Sequence, residues 1–119
     1  MSGYQDRLDA LAVALRTVPG LQVVTDLGEA IRPPAVVITP PVFAFEAYDP
    51  GPTTITAVLA IVEPVSDRAQ RNLLGWVELV PEAIHAATDA YVTRAEPSTF
   101  STSSAGPTPL PAYLLEIAL

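Results

Sequence analysis

The chain has 119 residues, half of them apolar, with no cysteine and thirteen acidic side chains against six arginines, for a net charge of −7. Such a length makes one domain whose core needs no disulfide or metal, and the absent cysteines exclude disulfide staples, thiolate nucleophiles and thiolate metal sites. The acidic balance opposes ordinary binding to nucleic-acid phosphates, which takes clustered cations, and no apolar run approaches the ~20 residues that span a bilayer.

The N-terminus carries no basic segment followed by an apolar one, so no secretory signal is expected and synthesis in the cytoplasm is. Ser2 and Gln5 have the spacing of a capping box. Tyr4, Leu8, Leu11, Leu15 and Val18 then recur at helical intervals until Pro19 and Gly20, which predicts a first helix with one apolar side. Residues 21–25 predict a short strand and 26–31 a polar connection. Residues 35–39 predict a second strand, cut at both ends by Pro33, Pro34, Pro40 and Pro41, since proline cannot donate to a ladder. Residues 42–48 alternate, with Phe43, Phe45 and Ala47 on one side and Val42, Ala44, Glu46 and Tyr48 on the other. Asp49, Pro50, Gly51 and Pro52 are turn residues, so a hairpin projecting near 42–62 is expected.

The stretch 53–89 organises the rest. Residues 55–62 are apolar at both parities, the pattern of a central strand covered on both faces. Ser66 is placed to cap a following helix. There, Ala69, Leu73, Val77, Val80, Ile84 and Ala87 keep a helical stripe, opposite Arg71, Gly75, Glu78, Glu82, His85 and Asp89. Pro81 interrupts the pattern without shifting its phase, so either one bent helix or two stacked end to end, with Pro81 opening the second, is expected. Residues 91–96 and 112–119 read as the last two strands. Between them, 97–111 reads as a long loop rich in serine, threonine and proline, with Phe100 its one large apolar residue. The order predicts a single α+β domain over 1–119, a mostly antiparallel sheet with an N-terminal helix and one long, Pro81-containing helix packed on it. Two helices leave one face of the central strand short of cover, and oligomerisation would supply it.

Apparatus for catalysis is not legible. His85 is the one histidine and falls on the polar stripe with Glu82 and Asp89, which reads as a solvated helix face; a metal held by one imidazole and two mobile carboxylates would be weak. No nucleophile elbow or glycine-rich phosphate loop occurs. No catalytic, cofactor or metal site is predicted. The candidate contact residues are Phe43, Phe45 and Tyr48 on the hairpin and Phe100 in the long loop. The two hairpin phenylalanines either form a contact surface or fill the core, and Phe100 either docks the loop on its own subunit or reaches into a neighbour.

The order of parts resembles the tail terminator, or tail completion, proteins of long-tailed phages. The likeness lies in the short first helix, the strand opened by Arg32, Pro33, Pro34, Ala35, Val36, Val37 and Ile38, and the central strand running into Val65, Ser66, Asp67, Arg68, Ala69 and Gln70. A proline-rich loop before a C-terminal strand completes it. The resemblance implies a non-enzymatic virion protein, made in the host cytoplasm, that forms a homohexameric ring at the head-proximal end of the tail. Such a ring caps the tail tube, stops its polymerisation and meets the head–tail connector, and its acidic lumen lets DNA pass without specific binding. Another phage neck or head-completion protein would share size, acidity and ring formation. A small acidic inhibitor or immunity-like protein would share charge and size, although it would gather its carboxylates on one face, whereas here they are spread along the chain.

Overall fold

The computed structural model describes residues 3–26, 28–47, 51–101 and 109–119. Among these, two helices, α1 (Gly3–Leu15) and α2 (Ala69–Ala87), accompany six strands, β1 (Gln22–Val24), β2 (Ala35–Ile38), β3 (Val42–Phe45), β4 (Pro52–Val62), β5 (Tyr91–Phe100) and β6 (Leu110–Ala118). All strands join one sheet in the order β1-β2-β4-β6-β5, with β3 paired to β4 beside that path. The fold is α+β, as the sequence order implied.

The eleven residues of β4 form the spine. Along one edge β4 pairs first with β3, through Pro52 to Thr56, and then with β2, through Leu59 to Val62. A register shift between Ala44 and Phe45 sets Phe43 opposite Ile55 and Phe45 opposite Pro52, so the simple alternation expected to put both phenylalanines on one side is broken by the bulge. Along its other edge it pairs with β6 over seven consecutive residues, Thr56 to Val62. Every pairing is antiparallel except β1 with β2. That parallel pair is joined through residues 25–34, with no helix among those described; the sequence pattern predicted a connection over 26–31 but not the parallel pairing.

Both faces of β4 are buried because both parities are apolar. Ala57, Leu59 and Ile61 face the helices in a cluster with Leu11, Leu15, Val36, Leu73, Val80, Ile84, Leu115 and Ile117. Ala60 and Val62 face the other way, in a smaller cluster with Val24, Ile31, Ala35, Val37 and Ala112. Oligomerisation had been expected to cover this second face. The chain covers part of it itself: Ile31 comes from the connection between β1 and β2, and Phe100, Leu110 and Leu114 pack against the same cluster from β5 and β6.

α2 is one helix of 19 residues with Pro81 inside it. Val80 and Ile84 are fully buried on either side of the proline, so the sheet anchors both halves and offsets the lost backbone donor. Ser66 is not its N-cap. Arg68 holds that position with no side-chain cap, while the Ser66 hydroxyl accepts the Arg68 amide at 3.2 Å in a local turn, a bonding mode serine adopts readily. The Ser2 capping residue and Tyr48 lie outside the described residues.

The long loop expected over 97–111 is shorter than the proline content suggested. β5 runs on to Phe100 and β6 starts at Leu110, with Pro97 paired to Tyr113 and Phe100 to Leu110. Pro97 fits because β5 is an edge strand, where a residue without a donor can face away from the ladder.

Replacing Ile84 with alanine removes a fully buried side chain from the helix–sheet interface, with a cost of about 2–5 kcal/mol expected. Urea unfolding should show it as a lower midpoint with an unchanged slope.

Candidate functional site

At the end of β4 the strand meets α2 through a buried carboxylate. Glu63 is 3% exposed, the one buried polar or charged side chain among the described residues. Its Oε1 accepts Asn72 Nδ2 at 3.0 Å and its Oε2 accepts Trp76 Nε1 at 2.7 Å, while its backbone amide donates to Pro111 at 3.1 Å. Asn72 and Trp76 stand one turn apart on α2, the spacing that brings two side chains to one side. A carboxylate out of water is tolerated only when its lone pairs are met, and two charge-assisted bonds meet them here. Trp76 also passes close to the turn after α1. Gly20 has φ of 80°, and a Cβ there would lie 3.9 Å from the indole, so the turn needs glycine for its backbone rather than for space.

Beside this junction lies an open groove of about 490 Å³ lined by Pro34, Pro64, Arg71, Gly75, Trp76 and Leu79, among others. Leu79 is half exposed. Arg71 is exposed and enters no ion pair among the described residues. The apolar run of residues 55–62 stops just short of this junction, and no periodic pattern marked it. The legible signal was the single tryptophan one helical turn after Asn72, with the acid just ahead of the helix.

At the opposite end of β4 stands the hairpin. β3 is exposed along its whole length. Val42 is 59% and Phe45 61% exposed. Phe43 is partly engaged, its ring edge-on to that of Tyr4 at 5.1 Å between centroids and 60° between planes, a favoured aromatic geometry. Of the two readings for the hairpin phenylalanines, core filling does not describe Phe45. Phe100 is half-buried at the end of β5 and packs against the second cluster, so it docks on its own chain. The candidate residues are therefore not brought together: Phe43 and Phe45 share the hairpin, while Phe100 sits at the far end of the sheet.

The other exposed edge is different in kind. β5 carries a register shift between Val92 and Arg94, an exposed pair of Arg94 and Glu96 at 2.8 Å, and Pro97. A bulge, charges and a proline are the means by which sheets keep an edge from pairing with another. β3, reading Val-Phe-Ala-Phe, shares the register shift, here between Ala44 and Phe45, but has no charge and no proline.

His85, Glu82 and Asp89 are all exposed on α2 or just past it. No group of three or more potential ligands for a metal occurs among the described residues, and no described helix is long and apolar enough to cross a membrane. The chain matches no protein-family model and no curated protein.

Two outcomes check this placement. In a double-mutant cycle of Glu63→Gln with Trp76→Phe, a coupling energy of about 1–3 kcal/mol is expected from the charged hydrogen bond, read by chemical denaturation. Phe45→Ser should change stability by less than about 0.5 kcal/mol, while Phe100→Ala should cost about 1–3 kcal/mol, below the value for a fully buried ring; equal costs would contradict the assignment.

Proposed function

We propose that this protein is a structural component of a phage virion, a tail terminator that assembles into a six-membered ring, caps the tail tube, stops its growth and presents the finished tail to the head–tail connector. The observation that carries the reading is the hairpin of β3 and β4, which spends two large apolar side chains, Val42 and Phe45, on solvent. Scattered exposed apolar residues are ordinary. A strand exposed at every position and free of charge is not, and it suits a surface that meets another subunit or the tube.

Two further features support the reading. The order of parts on which the resemblance rests recurs in the fold: a short first helix, a strand bracketed by prolines, a central strand leading through residues 65–70 into the long helix, and a last strand at the C-terminus. The charge of −7 suits a ring past which DNA slides without sticking. In this role the protein's partners are copies of itself, the tail tube protein and the connector, and its place is the head-proximal end of the tail after assembly in the host cytoplasm. Its task is one of shape and contact, with no bond made or broken.

Negative-stain electron microscopy of the purified chain, with mass from light scattering, tests the proposal. Closed six-fold rings, or rings that appear once tail tubes are added and that halt tube elongation, are the expected result. A chain that stays monomeric and leaves tube growth unaffected sinks it.

A further inference from the structure

The exposed apolar hairpin and the open groove lie at opposite ends of β4. About nine residues of extended strand separate them, roughly 30 Å at the rise of a β-strand, so they cannot meet within one molecule. They are nevertheless complementary. The hairpin offers Val42 and Phe45, with the exposed acid Glu46 directly after them. The groove offers Pro34, Pro64, Trp76 and Leu79, with the exposed cation Arg71 at its side. Neither Glu46 nor Arg71 enters an ion pair among the described residues.

Gly75 points the same way. Glycine in a helix interior is unfavourable relative to alanine because it fixes the freest backbone for no side-chain contact. A Cβ at position 75 would meet nothing within 4 Å, so packing inside the chain does not account for the glycine. It lines the groove, and there a missing side chain lets another molecule come close to the helix backbone.

We propose that the hairpin of one copy seats in the groove of the next, Phe45 against Trp76 and Leu79 across Gly75, with Glu46 reaching Arg71. The two mating surfaces are different patches of the same chain, so the contact is heterologous and repeats head to tail, ending only if the rotation between copies closes a ring. The contact deepens the ring proposal and rests on it for closure.

Two variants separate the halves. Phe45→Ser with Glu46→Arg disables the hairpin; Gly75→Leu with Arg71→Ala disables the groove. In sedimentation velocity each variant alone should stay monomeric at concentrations where the natural chain assembles. Mixed in equal amounts they should form one-to-one dimers and nothing larger, because each keeps one working half. Gly75→Ala gives a second readout: the monomer should melt higher, as alanine favours the helix, while assembly weakens about tenfold or more as the seat fills. A residue serving the helix alone would give only the first change. Circular dichroism verifies the fold of each variant, and if the groove variant unfolds, Phe45→Ser and Glu46→Arg, both at exposed positions, carry the test singly.

Rings that persist in every variant overturn this contact and leave the ring proposal standing. Mixed dimers from variants of a chain that itself grows open filaments uphold the contact and overturn the ring. A natural chain monomeric at every concentration overturns the contact.

Discussion

The Glu63 carboxylate is the constraint on which the arrangement of layers depends. It sits where β4 ends and is held by Asn72 and Trp76 of α2, while its own amide holds the start of β6. Apolar packing alone tells a helix to lie on a sheet, but is tolerant of sliding, since any apolar stripe fits any apolar face about equally well. A buried charge is not tolerant. Were α2 to shift by a residue, the carboxylate would lose its donors and remain out of water, which costs far more than the displaced contacts between methyl groups. The bond pair thus fixes where along the sheet α2 starts, and Trp76, passing beside Gly20, extends the same fixation to the turn that follows α1.

Much of the fold was legible in the sequence because periodicity carries it. The doubly apolar run of β4, the stripe from Ala69 to Ile84 and the prolines bracketing β2 each express one physical preference without competition. Legibility failed where a residue type has two uses. Ser66 suits a helix cap and a tight turn equally, and the turn prevailed. Pro97 marks loops, yet an edge strand accepts it, so β5 runs longer than its composition suggests. Glu63 resembles a solvent-facing boundary residue until its donors, nine and thirteen residues on, are placed beside it by the helix. Of the candidate contact residues, Phe45 and Phe100 looked alike as isolated aromatics. Only the topology separates them, by placing one on the exposed hairpin and the other over the second cluster.

Two exposed edges of the sheet, β5 and the short β3 beside the main path, differ in kind. β5, with its bulge, its charged pair and Pro97, refuses extension of the ladder. β3 has a register shift of its own, between Ala44 and Phe45, but no charge and no proline, and it exposes apolar side chains. A protein that has to join others of its kind at defined places, without sheets stacking edge to edge indiscriminately, needs both kinds of border, one closed to pairing and one open to contact.

β4 is also the path along which the two ends of the molecule communicate mechanically. A pull on the hairpin directed along this strand runs parallel to the strand axis and perpendicular to the hydrogen bonds that join it to β6. The seven registered pairs from Thr56 to Val62 then share the tension in shear, where a pull across the sheet would open them one after another. The chain is consequently stiffest along the direction that links hairpin to helix start, the direction in which a head-to-tail series of subunits would transmit strain.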